Sequence, residues 1–123
     1  MRLPVLITLP LLLAIANASA ADCPAPADGK PHGNRLRWTT ASEQDSFGFE
    51  VFRAGSENGE LARITKNPLL AAGTTDETHH YEYRDETIDP QRDYWYSVDL
   101  VHTDNSRERI ISAWKAPAKC AAK

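Results

Sequence analysis

The stretch "IDPQRDYWYSVDL", Ile88 to Leu100, decides the fold. Asp89-Pro90 is a turn-initiating pair, because proline presets φ and the aspartate side chain bonds to nearby backbone. A strand follows, in which Tyr94, Tyr96, Val98 and Leu100 alternate with Trp95, Ser97, Asp99 and Val101. Successive side chains of a strand point to opposite faces, so the first set forms a core-facing row and the second faces outward.

Working outward from this strand, the same period of two recurs in short runs separated by turn residues. "RLRW" sets Leu36 and Trp38 against Arg35 and Arg37, and "FGFEVFR" sets Phe47, Phe49 and Val51 against Gly48, Glu50 and Phe52. Asn58-Gly59 is a hairpin signal, since both residues tolerate positive φ, and "LARI" after it suits a short return strand. Period-two runs resume in "THHYEYR" and "RERIISAW". In the latter, either Ile110 with Trp114 or Ile111 with Ala113 faces inward. Asn67 to Thr78 reads as a long connection, because Pro68 and Gly73 leave little room for a regular element. About six or seven strands at this spacing, with no amphipathic helix, describe an all-β antiparallel sandwich.

The ends carry a different signal. Arg2 precedes an uncharged, mostly apolar run, Leu3 to Ala16, and "ASA", Ala18 to Ala20, offers the small residues of a signal-peptidase site. The run is too short to span a bilayer and Pro4 and Pro10 interrupt it. Residues 1–20 are therefore expected to be a signal peptide, with the protein exported to the periplasm, the envelope or the medium. Asp22, directly before Cys23, argues against lipid attachment there, where a small residue is wanted. Residues 21–33, rich in proline, form a leader or a weak first strand. The sandwich domain spans 34–117, and 118–123 is a tail.

Without residues 1–20 the chain has 13 basic and 17 acidic residues, a net charge of about −4 with neutral histidines. That balance argues against phosphate-backbone binding, which needs a clustered basic face, and no second apolar run suggests membrane insertion. Cys23 and Cys120 are the two cysteines. An even count in an exported chain usually means a pair, which in the entropy model contributes roughly 4–5 kcal/mol for so long a loop. Free or intermolecular thiols are the alternative.

Trp38 in the first long strand, and "IDPQRDY" with Ile88, Pro90 and Tyr94, together resemble fibronectin type III domains. In that family a strand-B tryptophan packs centrally, and Leu-x-Pro-x-x-x-Tyr leads from strand E into strand F. "WTTASEQDSFGFEVFR", Trp38 to Arg53, is similar to the strand B–loop–strand C passage of bacterial members, which places "SEQDS" in a loop. The resemblance covers roughly Asn34 to Pro117. It implies that Tyr94 is a tyrosine-corner residue whose hydroxyl bonds to backbone, that Tyr96 fills the core, and that strands C and F are neighbours. It also implies a tension: a full-length strand A would carry Cys23 to the pole opposite Cys120, so the disulfide and a regular strand A exclude one another.

No catalytic constellation is present: no nucleophile elbow, phosphate loop, zinc helix or Cys-x-x-Cys pair. His79 and His80 are adjacent and so point to opposite sides of a strand. We expect no catalytic residue, cofactor or metal, and a non-catalytic binding or structural module whose partner is an unidentified protein or glycan. The candidate patch is Phe52 and Trp95 with Glu50 and Asp99, outward residues of neighbouring strands, since aromatics are enriched in interface cores. Lysine or arginine stems covering the rings are the competing reading. A small extracellular hydrolase or inhibitor, and a subunit of an envelope assembly using an exposed sheet edge, are the alternative functions.

Overall fold

The computed structural model describes residues 23–121; the expected signal peptide lies outside the described residues. The described chain is all-β and antiparallel. Its strands are β1 (Asn34–Thr40), β2 (Glu43–Ala54), β3 (Ala62–Arg63), β4 (Leu69–Thr75), β5 (His79–Asp85), β6 (Tyr94–His102) and β7 (Arg107–Ala116). β1 and β5 form one sheet. In the other, β2 is flanked by β6 on one side and by β3 and β4 on the other, and β7 pairs with β6.

The two sheets close on a core that follows the alternation of the sequence. β1 contributes Leu36 and Trp38, β2 Phe49 and Val51, and β6 Tyr94, Tyr96, Val98 and Leu100. The Trp38 ring meets Phe49 edge-on at 5.3 Å and stacks on Tyr81 at 5.9 Å. Burying this aromatic and aliphatic row supplies the main favourable free energy of folding.

At the β5–β6 corner the Asp89 backbone N–H donates to the Tyr94 hydroxyl at 2.8 Å. The guanidiniums of Arg53 and Arg92 lie over the Tyr94 ring, at 5.0 and 5.9 Å. The Pro90 carbonyl accepts the backbone N–H of Lys119 at 2.7 Å, which brings the C-terminal tail against the same corner. Cys120 thereby sits at disulfide distance from Cys23, with Cα atoms 5.4 Å apart. Among residues 23–33 there is no strand. The leader is irregular and holds itself in place partly through the His32 Nε2 to Pro24 carbonyl contact at 2.8 Å.

Four local expectations need correction. Asn67 to Thr78 is not a plain connection: Leu69–Thr75 is strand β4, paired with β2. Its alanines, glycine and threonines carry little hydrophobic signal, and only Leu69 and Ala71 pack on the core. "SEQDS" is not a loop, because β2 already begins at Glu43, whose side chain is buried. Phe47 does not face inward with Phe49. The β2–β6 register runs Ser46↔His102 then Gly48↔Val101, so Phe47 is the extra residue of a bulge and is exposed. Neither alternation proposed for "RIISAW" holds either. Ile111 pairs with Val98 and Trp114 with Tyr96, an inward pair three residues apart. The bulge between them holds Ala113 at φ 49°, and the Ala113 N–H donates to the Ser97 hydroxyl at 3.3 Å.

Candidate functional site

The outer face of the large sheet is built where β2, β6 and β7 run side by side. Glu50 lies opposite Asp99 in the β2–β6 register, Phe52 opposite Ser97, and Ala54 opposite Trp95. With Phe49 and Val51 fully buried on the inner side, Glu50, Phe52, Asp99 and Trp95 share the outer face. Phe52 and Trp95 are diagonal neighbours, and both are half-buried.

Two carboxylates directly across a strand pair repel one another. Three arginines resolve this. Arg63 Nη1 donates to Glu50 Oε1 at 3.2 Å, Arg107 Nη1 donates to Glu50 Oε2, and Arg109 Nε donates to Asp99 Oδ1 at 2.9 Å. The Arg107 hydrogen bond holds the Glu50 carboxyl below its ordinary range, against the opposing effect of burial. Glu50 and Asp99 are buried although they face outward, because the arginine side chains lie over them.

The same cations reach the rings. The Arg109 guanidinium lies 5.7 Å from the Phe52 ring centroid and the Lys115 ammonium 5.5 Å from that of Trp95. Glu50, Phe52, Arg63, Asp99, Arg107 and Arg109 line an open depression of about 540 Å³. The surface is therefore a mixed one. It offers aromatic faces already engaged by cations, and guanidinium groups with donors left for a ligand. The sequence missed the arginines because they come from β3 and β7, whose pairing with the patch depends on register and bulges.

A second polar cluster lies inside, at the corner pole. Asp85 Oδ2 accepts from Tyr96 at 2.7 Å and from Arg53 at 2.8 Å, and Oδ1 accepts from Thr87 through its hydroxyl and its backbone N–H. Asn34 Nδ2 donates to the Tyr96 hydroxyl at 2.9 Å. Burial would raise the Asp85 pKa, but the bonds from Thr87, Tyr96 and Arg53 outweigh it and hold the carboxyl low. At the other pole Glu43 accepts from Tyr81, Thr40 and the Ala72 N–H, at 2.5, 2.9 and 3.0 Å. These bonds keep it below its ordinary value in spite of burial. Burial, then the bond to Glu43, pushes Tyr81 up to about 12. Both networks tie strands of one sheet to strands of the other and are sheltered from ligand.

The histidines are dispersed. His80 bonds Thr39, His79 stacks beside Tyr81, and His102 approaches Glu108 at 3.6 Å. Among the described residues no three His, Cys, Asp or Glu side chains converge as metal ligands would, and no helix is long and apolar enough to cross a membrane. Comparison with protein-family models, with curated proteins and with solved structures finds no match for this chain.

Proposed function

We propose that the protein is an exported, non-catalytic binding module on a fibronectin type III-like sandwich, contacting a protein or glycan through the outer face of its large sheet. The observation that carries this reading is the juxtaposition on one face of Phe52 and Trp95, each under a cation, with the Glu50–Asp99–arginine cluster. Aromatic surface with guanidinium donors around it is the composition of interface cores and of carbohydrate-stacking surfaces. The carboxylates there are committed to arginines. The Trp38 packing and the Tyr94 hydroxyl bond at the corner support the family resemblance. The cysteine pair supports an oxidising compartment.

A photo-crosslinking residue tests the reading in the protein's native host. Placed at position 115, beside the Trp95 ring, it is expected to trap a discrete partner or glycan. Placed at Ser56, on the exposed β2–β3 turn, it is expected to trap none. Equal capture from both positions, or capture from Ser56 alone, would overturn the assignment of the face.

A further inference from the structure

The open side of the sandwich, between β1 and β7, presents a second surface independent of the outer face. β1 pairs with β5 alone and β7 with β6 alone, so each has an edge without a strand partner among the described residues. Arg35, Leu36 and Arg37 of β1 and Ile111 and Trp114 of β7 line one cavity of about 400 Å³ between those edges. Trp114 is the register partner of Tyr96, a fully buried residue, and their rings lie 6.0 Å apart. It therefore faces the inside of the sandwich, yet it is 44% exposed. With Ile111 beside it, this core-facing tryptophan leaves an apolar surface on the open side of the sandwich. Among the described residues, 23–33 do not cover it, because Cys23 is held at the corner pole with Cys120.

The charges select what fits. Arg35 and Arg37 both reach one carboxylate, Glu82, at 3.2 and 3.4 Å, so two guanidiniums share a single anion and positive charge is left over along the β1 edge. Pairing β1 with the β1 of a second copy would bring these arginines against their own equivalents, and like charges on adjoining strands repel. We propose that this side binds an extended segment of a partner protein, added beside β1. Its aliphatic side chains would rest on Leu36, Ile111 and Trp114, and its Asp or Glu side chains would meet Arg35 and Arg37. Strand addition of this kind draws affinity from main-chain hydrogen bonds and specificity from alternate side chains.

The test titrates the isotope-labelled, disulfide-intact protein with a capped peptide the length of β1 that alternates valine and glutamate, followed by NMR. The expected result is saturable shifts in β1, β7 and the Trp114 indole N–H, with lysine in place of glutamate abolishing them. Trp114→Ala should weaken binding about tenfold, the loss of roughly one large apolar contact. The exposed double variant R35E/R37E, which does not touch the core, should reverse the preference to the lysine peptide. Trp95→Ala should leave this binding unchanged, so that failure here and failure of the outer-face reading are read separately. Absence of saturation at millimolar peptide, shifts confined to Phe52 and Trp95, or a charge reversal without effect would each overturn the proposal. So would concentration-dependent dimerisation through these edges.

Discussion

Asp85 has both carboxylate oxygens occupied and almost no contact with water. Removing it leaves the Tyr96 hydroxyl without its acceptor and the Arg53 guanidinium with Thr87 alone, so Asp85→Ala is expected to cost on the order of 3–5 kcal/mol, measured by urea unfolding. The acid limb of the stability profile follows from the same residue. Asp85, Glu43 and Glu50 all have folded-state pKa values below the ordinary carboxylate range. Their contribution is complete above the unfolded values, at about 4, and is lost as pH falls through the lower folded ones. Stability should therefore hold from neutral pH to about 5 and decline below about 4. A decline beginning near neutrality would contradict the assignment. Little of this was legible in the sequence. Asp85 stands in a run of acids, "RDETID", and nothing in that run separates the one that turns inward from those that stay in water.

At the scale of elements, clean alternation was legible and its interruptions were not. β6 runs without a break from Tyr94 to His102, so its inward and outward rows, Trp95 included, follow directly from the residues. β2 and β7 each carry bulges, which shift the phase by one residue and cannot be read from hydrophobicity alone. Phe47 and the Ile110–Trp114 run depart from simple alternation for that reason. β4 was missed because its backbone, more than its side chains, ties it to β2. Gly48 records how closely those two strands approach: a Cβ there would come within 2.8 Å of the Leu69 carbonyl oxygen. Gly48→Ala should accordingly displace β4 and destabilise the fold by about 1–3 kcal/mol. Thermal melting checks the magnitude, and hydrogen exchange should localise the loss to residues 69–75. An unchanged melt would show that β4 moves freely.

For the whole molecule, the cysteine pair and the irregular leader are two sides of one arrangement. Holding Cys23 at the corner pole beside Pro90 and Cys120 keeps residues 23–33 from running along β1, and among the described residues the side where Trp114 lies is open. Reduction should lower stability by roughly 4–5 kcal/mol, because the pair closes a loop of nearly the whole domain; two reactive thiols in the unreduced folded protein would contradict the bond. The fold needs Ile88, Pro90, Tyr94 and Tyr96 for its corner and core. Trp95 stands among them with its ring on the opposite face, under Lys115. The most direct measurement on the proposed function is therefore a comparison of wild type with Trp95→Ala, by thermal melting and by retention on immobilised partner recovered from the position-115 crosslink. The account predicts a melting temperature within about 4 °C, a change of under 1 kcal/mol, together with loss of retention. An unfolded variant, or a folded one retained as well as wild type, would contradict it.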